Sequence, residues 1–323
     1  TALYKVNLLS KIFAELPLEI ADLTGGFGID SFFFSRIAKK LWHVEPNAEL
    51  QELARHNHLQ LGATNIEYVN TTAESFLQAH KKEFAVIYID PSRRLNHKKV
   101  FSLAECEPSV PLLLDGLFER SKTLLIKASP LLDISATTQS LRSVKQIHVV
   151  SVDNECKELL FLCVRDFSGE AEIHAVNILS KGSSSDPFTF FASAEQSISL
   201  AFTEPLNYLY EPNASLLKAG AFKSITKTFP IVKLAPSTHL YTAEGLVNNF
   251  PGRMFKIEQL VKSDPKAIES LLPDRKANVL TRNYPLSVDD LKKRLKVLDG
   301  GSQYLIGFSS AKQKYLALCS RIQ

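Results

Sequence analysis

The stretch Asp22-Leu23-Thr24-Gly25-Gly26-Phe27-Gly28-Ile29-Asp30 follows an apolar run, EIADL (19–23), and leads into IDSFFFSRIAKK, whose apolar residues recur at helical spacing. A glycine-rich turn between a strand and a helix lets the backbone approach a ligand closely, where side chains would otherwise block it. A dinucleotide fingerprint would carry a third glycine three residues after Gly28, and Ser31 stands there instead. Dinucleotide binding is thereby weakened but not removed.

Outward from this turn the pattern repeats. Apolar runs at KLWHVE (40–45), IEYV (66–69), FAVIYID (84–90), TLLIKAS (123–129), QIHVVSV (146–152) and ELLFLCV (158–164) alternate, up to about residue 166, with helix-length amphipathic segments such as AELQELARHNHLQLG. Strands alternating with helices call for a parallel sheet covered on both faces. Only DNECK separates the last two runs, too short for a parallel crossover, so they are expected to form an antiparallel hairpin. Five parallel strands and a terminal hairpin describe a doubly wound α/β domain with a seven-stranded sheet whose last strand is antiparallel.

In such sheets ligands bind outside the carboxyl ends of the strands. Glu45, in HVEPN, ends the second strand, where an acid can accept hydrogen bonds from both hydroxyls of a ribose. The fourth strand runs into Asp90-Pro91-Ser92-Arg93-Arg94, which puts a carboxylate at the same edge. Arg93 and Arg94 fit bidentate phosphate contacts, or a local clasp with neighbouring acids.

DLTGGFGID, HVEPN, NTTAESF and YIDPSRR resemble motifs one to four of class I S-adenosylmethionine (SAM)-dependent methyltransferases. More narrowly, DPSRR (90–94), KASP (127–130), VSVDNECKE (150–158) and LYEP (209–212) resemble the bacterial methyltransferases that carry a C-terminal THUMP-like domain. The resemblance implies a class I methyltransferase (Rossmann-like) domain, then a ferredoxin-like and a THUMP-like α+β region, the last a module type associated with RNA binding. It implies SAM as cofactor, with its methionine end against Asp22 and the turn Thr24, Gly25, Gly26 and Gly28. Its ribose would lie on Glu45, its adenine beside Thr72 and Ala73, and its methyl group near Asp90. Pro46 could pack on the ring or simply end the strand. The chain departs from the commonest pattern at Thr24, where glycine is more usual, and at Thr72-Ala73, where Asp-Ala is frequent.

Two chemistries stand for the acceptor. Amino-methylating enzymes usually follow the acid with Pro-Pro-aromatic, whereas this chain has Ser92 and Arg93 after Pro91, so a stacking surface is missing. Ribose 2′-O-methylating enzymes instead use a Lys-Asp-Lys-Glu set, and matching types occur at Lys5, Asp90, Lys127 and Glu158. Base N-methylation, with Asp90 orienting the target or accepting its proton, is somewhat favoured over the ribose reading. Asp90, Lys127 and Glu158 are the candidate catalytic residues, and Pro91, Ser92, Arg93 and Arg94 the candidate substrate contacts. His97 is the histidine nearest the corner, where a surface role is expected. Tyr208 and Tyr210 line a cleft or pack in a core.

The expected domains are 1–168 for the cofactor, 188–251 for the ferredoxin-like part and 252–323 for the THUMP-like part. Residues 167–187 shift in composition toward Gly and Ser, a plausible boundary. Beyond 253 the pattern reads β-α-β-α-β-β, with Ser287 capping the second helix. From Gly252 onward roughly 14 Lys and Arg face 7 Asp and Glu, within a net charge of +4. A basic end suggests an anionic partner, RNA first, although a solvated helix face gives the same count. Hydrophobic residues at 45 % and charged residues at 22 % are globular values. No run of 18 apolar residues suits a membrane. The four cysteines lack metal-ligand spacing, so no metal is expected and a reducing cytoplasm is. The chain starts at Thr1 without a signal-peptide pattern, and a segment ahead of it is expected to be missing. An RNA methyltransferase leads. Its alternatives are a methyltransferase for a small molecule or protein, and a non-catalytic RNA-binding scaffold on a relic SAM fold.

Overall fold

A computed structural model of the chain describes residues 1–93, 102–180 and 186–322. Two compact units, Thr1–Phe191 and Ala192–Gln323, each build their own main sheet.

In the first unit helix α1 (Ala2–Ile12) precedes strand β1 (Leu18–Asp22). Alternation follows with α2 (Ile29–Ser35), β2 (Ala38–Val44), α3 (Ala48–Gln60), β3 (Ile66–Val69), α4 (Ala73–Ala79) and β4 (Val86–Ile89). Helix α5 (Val110–Arg120), β5 (Thr123–Ala128) and α6 (Ile134–Ser140) lead to a hairpin of β6 (Val144–Val152) and β7 (Glu155–Val164). The hairpin turns on Asp153 and Asn154, both at positive φ, the pairing that matches the twist of two-residue hairpins. Across the sheet these seven strands run β3-β2-β1-β4-β5-β7-β6, with β7 alone antiparallel among them. This is the class I methyltransferase sheet.

The sheet continues past residue 168, where the first domain was expected to end, and past 188, where the second was expected to begin. Strand β8 (Glu172–Ile178) lies parallel to β6, and β9 (Phe188–Phe191) pairs antiparallel with β8, making nine strands. The extension is polar at its seam. Ser151 donates to the Val176 carbonyl at 3.1 Å and to Asn177 Oδ1 at 2.8 Å, and Asp153 Oδ1 accepts from Ser180 N at 3.0 Å. An edge held by such contacts needs no long apolar run, which is why its composition reads as a linker.

One face of the sheet is closed by α1 and α2. Leu8 and Leu9 of α1 and Phe34 of α2 meet Ile20, Leu41, Val86, Leu125, Leu160 and Leu162 in a single buried cluster. Burying each such side chain contributes about 1.5–3 kcal/mol, enough to fix where the first turn of α2 stands over β1.

The second unit begins with α7 (Ala192–Ser197), β10 (Tyr208–Pro212), α8 (Ala214–Ala219), α9 (Ile225–Thr228), β11 (Val232–Ala235) and β12 (Thr238–Ala243). It ends with β13 (Gly252–Leu260), α10 (Pro265–Leu271), β14 (Asn278–Arg282), α11 (Val288–Leu295), β15 (Gln303–Ser309) and β16 (Lys314–Arg321). Ser287 caps α11 by accepting from Asp290 N. The strand order is β11-β12-β10-β13-β16-β15-β14. Alternation along β15 and β16 feeds two cores: Leu305, Leu316 and Leu318 meet Ile268 of α10 and Leu291 and Leu295 of α11, while Ile306, Phe308, Ala317 and Cys319 meet Leu209, Leu234 and Phe255. The sheet curls until its far strand returns to its middle. Glu211 of β10, 4 % exposed, accepts from Arg253 of β13 at 2.7 Å and also from Arg282 of β14. Asn283, next to Arg282, donates to Thr238 at the start of β12 at 3.0 Å. The LYEP motif is thus a clasp, and Tyr210, fully buried, packs on Phe250 and bonds Gly245 O.

Candidate active site

Asp22, Glu45 and Asp90 stand at the carboxyl ends of β1, β2 and β4, where the adjacent parallel strands finish on one edge. A cavity of about 580 Å³ opens there, lined by the turn 22–30, Glu45, Pro46, Thr72, Ala73, Asp90 and Lys127 among others. The sequence-expected cofactor residues therefore share one cavity.

The turn is shaped from behind by two histidines. A Cβ on Gly25 would lie 2.2 Å from the buried His43 ring, and one on Gly28 2.4 Å from His58 Nε2. Gly28 also sits at φ +78°, the left-handed region that favours glycine. Thus Gly25 and Gly28 are needed for what lies beneath the turn as much as for what lies above it. His58 fixes the turn by bonding Gly28 O at 2.7 Å and Tyr68 OH at 2.9 Å. Burial, aided by His58, holds His43 down at about 4, so it is neutral.

Ser31, standing where a dinucleotide motif would have glycine, is completely buried. It donates to Asp22 Oδ2 at 2.6 Å and contacts His43 Nδ1 at 2.9 Å. Asp22 Oδ1 accepts from Thr24 N at 3.1 Å. Burial pushes the Asp22 carboxyl up to about 7, outweighing the hydrogen bonds from Ser31 and Thr24 that lower it, while Asp30 and Asp90 add repulsion. Thr24 has a second use: its hydroxyl accepts from Asp90 N at 2.6 Å, tying the turn to the corner after β4. A glycine there could not make that bond.

Glu45 accepts from Gly26 N at 2.8 Å and from Asn47 N at 2.9 Å. A carboxylate has about four acceptor sites, so two remain for hydroxyls. Asn70 steadies this corner by donating to the carbonyls of Glu45 and Pro46. Thr72 caps α4, accepting from Ser75 N, and Ala73 opens that helix on the cavity wall. SAM, the cofactor implied by the resemblance, fits this donor set: carboxylates to meet a sulfonium and ribose hydroxyls, and turn amides to meet a carboxylate.

Lys127 of β5 donates to Asp90 Oδ2. Burial pulls its pKa down, but the charge and hydrogen bond of Asp90 outweigh that, and it lies above the ordinary lysine value. Asp90 and Lys127 also line a second, smaller cavity of about 180 Å³, walled by Pro91, Leu103, Leu132 and Lys157 among others. The pair stands between the two spaces.

The remaining members of the Lys-Asp-Lys-Glu set are placed differently. Lys5 of α1 is 1 % exposed and bridges Asp30 at 2.9 Å and Glu158 at 3.0 Å. Asp30 Oδ2 in turn accepts from Tyr88 OH at 2.6 Å. The set therefore splits into an accessible pair, Asp90–Lys127, and a sealed one, Lys5–Glu158. Ser92 Oγ bonds Glu107 O at 3.2 Å in a two-residue antiparallel pairing of Ser92–Arg93 with Cys106–Glu107. Arg94, His97 and the side chain of Arg93 lie outside the described residues. No cluster of metal-ligating side chains occurs among the described residues, nor does any helix long and apolar enough to cross a membrane.

Asp30, Tyr88, His43 and His58 were not singled out from sequence, and Ser31 was noted only as the residue replacing a dinucleotide glycine. Asp30 lies in the stretch quoted at the outset, eight residues after Asp22, but only the fold brings it onto Lys5 and Tyr88. The histidines carry no spacing signal.

Family models for a ferredoxin-like domain and a THUMP domain-like region match residues 208–251 and 252–321. Among solved structures, a Porphyromonas gingivalis W83 protein assigned as a methyltransferase is 33 % identical over 100 % of this chain and 80 % of its own, with a TM-score of 0.90. An rRNA methylase from Streptococcus thermophilus is 14 % identical over 50 % of this chain and 94 % of its own, at a TM-score of 0.36. A protein from Streptococcus mutans, assigned as a methyltransferase and solved with SAH, is also 14 % identical, over 49 % and 95 %, at 0.36. Likenesses at 0.36 carry no functional argument. No curated protein matches the chain.

Proposed function

The chain belongs to the bacterial methyltransferase family that carries a C-terminal THUMP-like domain, and we propose that it moves the methyl group of S-adenosylmethionine to a base nitrogen of RNA. The observation that carries the reading is the Asp90–Lys127 pair, which lines both the larger cavity beside the glycine turn and the smaller one behind it. A cofactor in the first and an acceptor in the second would meet at one carboxylate.

When bound, SAM supplies an electrophilic methyl group on a sulfonium. Glu45 would hold the ribose, Thr72 and Ala73 would edge the adenine, and the turn at 24–28 would take the methionine end. Asp90 is held by Lys127 on Oδ2 and by Thr24 through its own backbone N–H, while Oδ1 has no partner among the described residues. An acceptor N–H donating to Oδ1 would have its lone pair turned toward the methyl carbon. Oδ1 would take the surplus proton of the acceptor nitrogen on its methylation. Most of the rate comes from alignment of nucleophile, carbon and sulfur, and the carboxylate contributes roughly 10²–10⁴-fold as acceptor.

The lysines support base over ribose. A ribose hydroxyl needs a group that lowers its pKa or takes its proton. Lys127, with its pKa above the usual lysine value, is an ammonium that cannot accept one, and its charge is already paired with the Asp90 carboxylate. Lys5 is sealed between Asp30 and Glu158 and reaches no acceptor. RNA is supported by the THUMP-like match and the 14 to 7 excess of basic residues beyond Gly252. Pro91 and Ser92, with Arg93 and Arg94, remain the proposed substrate contacts.

The test is transfer from methyl-labelled SAM into a bacterial extract split into RNA, protein and small-molecule fractions, with Asp90→Ala alongside. Label in RNA with the wild-type chain alone, released as a methylated base on nucleoside digestion, is expected. Label in ribose would overturn the nitrogen assignment, and label in another fraction the RNA assignment. Absence of both label and SAM binding would overturn the reading whole.

A further inference from the structure

The second unit contains a cavity of its own, about 480 Å³, between the segment following α7, the residues preceding α9 and strand β11. It lies in the size range of small-ligand sites. Lys233 lines it at 2 % exposure, an unusual burial for a lysine. Its ammonium donates to Ala235 O at 2.8 Å and Pro236 O at 2.6 Å. An ammonium has three donors, and among the described residues the third is unused.

The other charges around it are accounted for. Glu195 of α7 spends its carboxylate on Lys223 N and Ser224 N, both at 2.7 Å, and Ser224 Oγ at 2.6 Å. Lys223 uses one Nζ donor on Gln196 O at 3.3 Å. Two lysines thus face one committed glutamate. Burial pulls Lys233 down to about 8 against the opposing pull of Glu195, and burial, with the Lys233 charge adding to it, lowers His239. An incoming anion would relieve that buried charge.

The rest of the wall is apolar and partly aromatic. Phe202, 40 % exposed, pairs its backbone with Lys233, and both residues line the cavity. Phe222 stacks on His239 at 4.0 Å and also lines the cavity. Gln196 and Ser199 give polar groups at the rim. Aromatic faces beside lysines are what a base with its phosphate requires.

We propose that this cavity binds a nucleotide, with its phosphate on Lys233 and Lys223 and its base against Phe202 and Phe222. The site is separate from methyl transfer and stands whether or not the chain acts on RNA bases. The nucleotide is either free or the phosphorylated end of an RNA strand.

Calorimetric titration of the full chain with uridine 5′-monophosphate tests it, since adenine nucleotides would also enter the larger cavity of the first unit. Saturable binding is expected, at least tenfold weaker in Lys233→Met and in Phe202→Ala, and unchanged in Glu45→Gln. Uridine and inorganic phosphate should each bind at least tenfold more weakly. Phe202 is exposed enough to keep the test valid should Lys233→Met fail to fold. A 5′-phosphorylated oligouridylate binding well above the mononucleotide identifies an RNA end, and equal affinity a free nucleotide. No binding, binding indifferent to both variants, or tighter binding of octanoate would overturn the proposal.

Discussion

Asp22 is a carboxyl whose pKa burial pushes up to about 7, so folding favours its protonated form. The stability it contributes is full below the unfolded value of 3.8 and is lost as pH rises through about 7. His43, held down at about 4, acts in the opposite sense over the same range. Only the difference between parent and variant isolates Asp22. Asp22→Asn should therefore gain on the parent as pH rises from 4 to 7, by an amount on the order of a few kcal/mol, as read from melting temperatures at each pH. Gly25→Ala tests the underside of the turn. A Cβ 2.2 Å from a fully buried ring bonded to Ser31 has nowhere to go, and overpacking costs about 1–3 kcal/mol. A lower melting temperature and loss of SAM binding are expected, whereas an unchanged melt would refute the packing account. Much of this residue layer was legible: the glycine turn, Glu45 and Asp90 were named from position alone. His43, His58 and Asp30 were not, because what joins them to the site is three-dimensional contact across elements with no fixed spacing.

At the level of elements, α1 is attached to the site by a buried charge. Lys5 sits in a helix whose Leu8 and Leu9 join the core, and it bridges Asp30 and Glu158 from α2 and β7. Removing one partner of a buried ion pair leaves an uncompensated charge and costs about 3–5 kcal/mol. Lys5→Met should lower the melting temperature by that measure. If Lys5 were catalytic instead, activity would vanish with stability intact, and circular dichroism melts alongside transfer assays separate the two. Most of strands β1 to β7 were readable because strands buried on both faces are continuous apolar runs. Strands β8 and β9 were not, since they bury few residues and β8 is joined to β6 by hydrogen bonds through Ser151 and Asn177. The final helices and strands were legible again once caps such as Ser287 and clear periodicity returned.

For the whole molecule, the uneven charge matters more than its sum. Of the 14 basic residues beyond Gly252, several have local uses: Arg253 and Arg282 clasp Glu211, Arg275 pairs Glu269 and Lys292 pairs Asp299. Lys293, Arg294 and Lys296, around the end of α11, are exposed, while Leu291 and Leu295 of that helix face the core. The charge excess alone could not distinguish these groups. Cations free to meet phosphates release counterions, and each contact to single-stranded RNA steepens the salt dependence of binding by about 0.7 in log–log slope. Replacing Lys293, Arg294 and Lys296 with Ala should therefore weaken RNA binding across sequences alike and flatten that slope by about 2. The replacements should leave the melting temperature nearly unchanged, because none is buried. Binding measured from low to moderate salt by fluorescence anisotropy decides it. An unaltered slope would mean that α11 is only a solvated face, and that the anionic partner, if RNA, is held elsewhere on the chain.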